Sequence, residues 1–366
     1  MNKLRLLGLA LLAVFAFTAC DDENTEGEND GNYEIPSTYD FENVSYTGQI
    51  QRLDMLDELT VYMKTANNGE VLDAQAMLDM YANENNAFDN AELNEADTKE
   101  LENKTVEADI DMFKGFIREF AAATVEADGG VGSNGTPGVV TSPNDASKKY
   151  FFDANGFEHI QLIEKGLMGS CFYFQGTSIY LGSGKMDVDN EEIEEGKGTA
   201  MEHHWDEAFG YLGVATDFPA NTDGARFWGK YSNGRDALLG TNEAIMNAFI
   251  TGRAAISNKD LDTRDEQIEI IRNEWEKVSA GTAVHYLNEA NAAFADDAVR
   301  NHTLSEAWAF IHALKYNPNK KLSNAEVTAV LDELGDNFYE ITTDNINAAK
   351  AILVEAYGFE DVQNEL

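Results

Sequence analysis

Residues 106–124 read Val-Glu-Ala-Asp-Ile-Asp-Met-Phe-Lys-Gly-Phe-Ile-Arg-Glu-Phe-Ala-Ala-Ala-Thr. The apolar positions Val106, Ile110, Phe113, Ile117 and Phe120 recur at alternating steps of four and three. A helix turns about 100° per residue, so these side chains form one stripe along one face. The same spacing returns in Ile50, Leu53, Leu56, Leu59 and Met63, and in Ile268, Ile271, Trp275 and Val278. A fourth stripe lies within 233–256, through Leu238, Leu239, Ile245, Phe249 and Ile250. Only five prolines interrupt 366 residues, and no alternating run is long enough to support a sheet. These observations predict an all-α fold, a helical bundle with long irregular loops.

Helix boundaries follow from local chemistry. Thr303 with Glu306, and Ser323 with Glu326, have capping-box spacing. Asn317-Pro318 ends the helix between them, and a last helix runs from Asp344 to Tyr357 and stops at Gly358. Residues 127–149, rich in Gly, Ser, Asn and Pro, read as a long loop, the place where two sub-bundles would divide. The acidic stretch 182–198 begins like a calcium loop at Asp187. Glu192 stands where that loop needs its glycine and Gly198 where it needs its last carboxylate, so a solvated loop is the reading.

Acidic residues number 66 against 26 basic ones, for a net charge of −40. Such a chain repels nucleic-acid phosphates and anionic lipid surfaces, and concentrates cations around itself. Its first residues are of a different kind. Lys3 and Arg5 precede an apolar run from Leu6 to Phe17 and then Thr18-Ala19-Cys20, the order of a secretory signal. The end resembles a bacterial lipoprotein signal, although Phe17 stands where leucine is usual. By that resemblance residues 1–19 are removed, Cys20 is acylated, and 20–32 form an acidic tether. Residues 33–366 make up the helical domain. Acidic residues directly after the cysteine resemble an export tag to the outer face of the outer membrane. The alternatives are a plain solvated linker and a periplasmic location. With Cys20 acylated, Cys171 is left alone and no intramolecular disulfide forms.

The densest group of ligand-type side chains is Glu202-His203-His204-Trp205-Asp206-Glu207. On a helix, Met201, Trp205, Ala208, Phe209 and Leu212 share the core-facing arc. His203 lies nearly opposite, and His204 lies at the edge. His203 meets Glu207 at i,i+4 and Asp206 at i,i+3, and His204 meets Glu207 at i,i+3. Imidazole and carboxylate on one helix face are half of an iron or zinc site, the other half coming from a second helix. Gly210 and Gly213 leave room there for a ligand or a close neighbour.

His159 is the best outside candidate for the second half, because Gly156 frees its approach. His285 with Glu289 reads as a structural hydrogen bond, His302 as a residue preceding a capped helix, and His312 as packing. Glu306 is assigned to the cap. No G-x-S-x-G, H-E-x-x-H or Cys-x-x-Cys pattern occurs, and Cys171 sits in an apolar run as an inert thiol.

Four stretches carry a family resemblance: Tyr39 to Tyr46, Gly48 to Leu59, Gln161 to Gly169, and above all Glu202 to Tyr211. They resemble bacterial lipoproteins grouped as domain of unknown function 4856. More distantly, His204-Trp205-Asp206-Glu207 is similar to the His-x-x-Glu of imelysin-like proteins, helical proteins associated with iron uptake. Glu202 stands where those have glycine. Together the resemblances imply an imelysin-like helical bundle, anchored by lipid, that binds a metal ion or haem in iron or nutrient uptake. Its metal ligands would be drawn from His203, His204, Asp206, Glu207 and His159. A non-catalytic partner of an outer-membrane receptor is the alternative, and a metallopeptidase the remotest.

Overall fold

A computed structural model describes residues 33–366. The signal at 1–19, Cys20 and the tether lie outside the described residues. Thirteen α-helices and one two-stranded hairpin are present among the described residues. Helix α1 (Thr47–Lys64) is followed by α2 (Ala74–Ala82), α3 (Ala91–Glu95) and α4 (Ile110–Ala127), then strands β1 (Gly138–Thr141) and β2 (Lys149–Phe152). Helix α5 (His159–Leu167) continues through two wide π-helical turns, Met168–Tyr173 and Gln175–Tyr180. Next come α6 (Ser183–Met186), α7 (Ala200–Gly210), α8 (Phe227–Leu239) and α9 (Thr241–Ser257). The last four are α10 (Leu261–Ala292), α11 (Asp297–Ala313), α12 (Asn324–Leu334) and α13 (Thr343–Tyr357). No helix of the described residues is long and apolar enough to cross a membrane.

The chain is all-α, as its stripes predict. Phe113, Ile117 and Phe120 of α4, Leu53, Leu56, Leu59 and Met63 of α1, and Ile268, Ile271, Trp275 and Val278 of α10 are all buried. Helix α10, 32 residues long, is the central post, packed by α8, α9, α11 and α13. One apolar cluster holds Phe113 and Phe120 from before the 127–149 segment and Ile163, Trp205 and Trp275 from after it. Two buried indoles find backbone acceptors, Trp205 Nε1 on Phe249 O at 2.9 Å and Trp228 Nε1 on Met168 O at 2.8 Å. This lets large aromatic surface be buried without a stranded N–H. At Gly252 on α9 a Cβ would stand 2.2 Å from the Trp205 ring, so only glycine admits α7 there.

Three local expectations need correction. Within 127–149 the chain starts an antiparallel hairpin, pairing Gly138 with Phe152 and Thr141 with Lys149. Strands of four residues are too short to show an alternating pattern. The 233–256 stripe is two helices, broken where Gly240 takes φ +65°. Helix α11 starts at Asp297, not Thr303, because the Asp296 carboxylate accepts from Val299 N. The Thr303 hydroxyl instead bonds back to the carbonyls of Val299 and Arg300, which frees Glu306 from any cap. Glu202, one of the ligand-type side chains of the cluster, forms a capping box with Thr199 at the start of α7.

The Ser323–Glu326 box caps α12, and Gly358 ends α13 at φ +68°. The acidic side chains of 187–195 all face solvent.

Candidate functional site

Helix α7 divides its polar side chains between two surfaces. Asp206 points inward, where the Tyr39 hydroxyl donates to its Oδ1 at 2.6 Å and Arg253 Nε donates to the same atom at 3.0 Å. Arg253 also donates to Glu202 Oε1 at 2.6 Å. Burial pushes the Asp206 carboxyl up to about 6 against the pull of Arg253 and Tyr39. Asp206 and Glu202 therefore hold α7 to α9 through one buried guanidinium and do not face a ligand.

The outward surface carries His203, His204 and Glu207. His204 Nδ1 donates to Glu207 Oε2 at 3.0 Å, and His203 Nε2 lies 3.9 Å from the same oxygen. Gln49 Nε2, from α1, donates to Glu207 Oε1 at 3.0 Å. Burial opposes ionisation of Glu207, yet His204, His203 and Gln49 together hold its carboxyl below the ordinary range. Burial lowers His203, favouring its neutral form. The α1 contact depends on Gly210. A Cβ there would stand 2.7 Å from Tyr46 Cβ and 2.9 Å from Gln49 Cβ. The room that Gly210 leaves is filled by α1.

Between α1, α7 and the 98–104 segment lies a cleft of about 580 Å³, lined by His203, Glu207, Tyr180, Gln49 and four cations: Arg52, Lys99, Lys104 and Lys197. Lys197 pairs with Glu194 at 2.5 Å. The other three make no ion pair among the described residues. Arg52 spends its Nε on Glu100 O at 2.8 Å and Nη1 on Gly48 O at 3.0 Å. Lys99 donates to the Thr98 hydroxyl at 3.1 Å, and Lys104 to the Tyr180 hydroxyl at 3.2 Å. Burial, with Arg52 nearby, lowers the Lys104 ammonium below its ordinary range. The first turn of α1 (Thr47, Gly48) also lines the cleft, adding the positive end of an 18-residue helix.

This arrangement does not fit a bare metal ion. Among the described residues no three His, Cys, Asp or Glu side chains are gathered to hold one. Glu207 already accepts two hydrogen bonds, and the surrounding cations repel a further positive charge. Haem fits no better, because Ser45, Thr47, Thr98, Asn103 and the lysines present little apolar wall to a large ring. His159 is not brought to the cleft. Its Nε2 lies 3.3 Å from Asp153 Oδ2, and its ring stacks on Phe120 at 5.9 Å.

The remaining histidines divide. His312 stacks on Trp308 at 4.9 Å, as its spacing predicts, whereas His285 Nε2 lies 3.6 Å from Glu289 Oε1, too far for the expected hydrogen bond. His302 lies inside α11 and contacts Glu158 instead of preceding a cap. Cys171 is buried, and burial pushes its thiol up to about 12.

Sequence reading missed Arg52, Lys99 and Lys104. The available signal was the scarcity of basic residues, 26 in the whole chain, with one of them set among the apolar positions of α1. Comparison of the chain with curated proteins and with solved structures finds no match. A family model described as "Domain of unknown function (DUF4856)" matches residues 36–360, nearly all of the described chain, and the protein belongs to that family.

Proposed function

We propose that this protein is a surface-anchored lipoprotein that captures a small hydrophilic anion in the α1–α7 cleft, as a binding component of nutrient uptake. The observation that carries the reading is the set of three cations without carboxylate partners in a chain with 66 acidic residues. In so acidic a molecule, cations left unpaired in one concave site constitute a local reversal of the protein's field. Glu207 and Gln49 add polar groups to the same lining. The ligand that matches it bears a carboxylate or phosphate together with hydroxyl groups. Iron, the cargo implied by the imelysin-like resemblance, would enter such a cleft as an anionic hydroxycarboxylate chelate and not as a free ion. The signal ending at Cys20 and the acidic tether support the anchoring.

Equilibrium dialysis of the chain from residue 21 against citrate, ferric citrate, inorganic phosphate, zinc and haem tests this. The reading expects saturable binding of a hydroxycarboxylate or phosphate and none of bare zinc or haem. Stoichiometric zinc or haem that disappears in a His203→Ala, Glu207→Ala variant would replace it with the metal-site reading.

A further inference from the structure

A second cavity, of about 480 Å³, opens between α5, α10 and α11, and its walls are unusual for the interior of a bundle. Glu158, Glu164, Lys165 and Glu306 are all buried, at 1%, 8%, 7% and 6% exposure. Glu158 Oε2 accepts from His302 Nδ1 at 2.5 Å, and His302 Nε2 lies 3.5 Å from Glu306 Oε2. Lys165 Nζ lies 2.8 Å from Glu164 Oε1 and 3.9 Å from Glu306 Oε1. The Tyr150 ring stacks on His302 at 4.0 Å. Burial works against the imidazolium, yet Glu158 and Glu306 hold His302 above its ordinary range. Burial pushes the Glu306 carboxyl up against the pull of His302 and Lys165.

Structural stability does not account for this cluster. Buried ion pairs are offset by their desolvation cost, and apolar residues of the same volume would hold α5 to α11 as well. The hydrogen-bond inventory is also incomplete. Gln161 Oε1 and Glu164 Oε2, both of residues on the cavity wall, are buried with no hydrogen-bond partner, Lys64 Nζ standing 4.0 Å from the latter. Buried acceptors are normally satisfied, so a wall with two orphans is a wall that expects donors. Three buried carboxylates face two buried cations, Lys165 and His302, while the exposed Lys64 and Lys230 also line the cavity. Tyr231 and Tyr286 also line the cavity. The volume falls within the roughly 300–1,000 Å³ of small-molecule sites.

We propose that the α5–α11 cavity binds a monosaccharide-sized, donor-rich ligand, its hydroxyl or ammonium groups donating to Gln161, Glu164 and Glu306. The site is separate from the anion cleft and does not depend on that reading. Its shared chemistry is N–H and O–H donation, which a neutral hexose and a hexosamine both offer.

Calorimetric titration of the full chain with glucose and glucosamine tests the proposal. Saturable binding of at least one of the two is expected. Glucosamine alone would assign an ammonium subsite, and equal binding of both would assign recognition to hydroxyls. Gln161→Leu and Tyr286→Leu, confirmed as folded by thermal melts, should each weaken the binding at least tenfold, while Lys99→Met should leave it unchanged. No saturable binding of either sugar, or binding that ignores both cavity substitutions, would overturn it.

Discussion

Asp206 shows how one side chain can carry the reverse of its apparent role. Its spacing from His203 suggests a ligand, but its oxygen is taken by Tyr39 and by Arg253, from helices and segments far away in sequence. Nothing local to 201–213 announces Arg253, so this part of the site was not legible. Asp206→Ala leaves the buried guanidinium short of a partner and should cost about 3–5 kcal/mol in chemical denaturation. Because Asp206 faces away from the cleft, anion affinity of the folded fraction should be unchanged. His312 makes a different kind of residue-scale prediction. Burial, with Lys315 nearby, lowers its imidazole to about 3, so the folded state prefers the neutral ring. Its contribution is fully present above pH 6.5 and is lost as pH falls toward 3, at about 1.4 kcal/mol per pH unit. Urea melts between pH 7 and 4.5 should show that slope in the parent and a shallower one in His312→Phe, which keeps the stack on Trp308.

At the scale of elements, the cleft exists because α1 can lie directly on α7. Gly210→Ala places a methyl 2.7 Å from Tyr46 Cβ. The overpacking should destabilise by about 1–3 kcal/mol and weaken anion binding by moving Gln49 and the first turn of α1, readable as a joint loss in melts and titrations. Helices with long apolar stripes were legible: α1, α4 and α10 all bury the residues their spacing selects. Ends were less so. Thr303 and Glu306 have the same i,i+3 spacing inside a helix as at its start, and Asp296 decides which applies by accepting from Val299 N. That misplacement hid His302 and Glu306 in a supposed terminus, when both line the α5–α11 cavity. The hairpin was invisible for a different reason, since β1 and β2 are only four residues each.

For the whole molecule, a net charge of −40 sets the background against which each cation is read. Composition alone suggests attraction of positive partners, whereas three cations without carboxylate partners line a cleft beside the histidines of α7. The two cavities differ in their linings, one holding cations without carboxylate partners and the other buried carboxylates paired with Lys165 and His302. The central claim is that the α1–α7 cleft is an anion site. The most direct measurement is calorimetric titration of citrate into the parent chain and into the Lys99→Met, Lys104→Met variant, each at low and high salt. The account predicts binding that weakens with salt and falls at least tenfold in the variant, the loss of about 1.5–3 kcal/mol expected for a charged hydrogen bond. Citrate affinity indifferent to both salt and substitution, or saturable zinc binding that survives the substitution and needs His203, would contradict it.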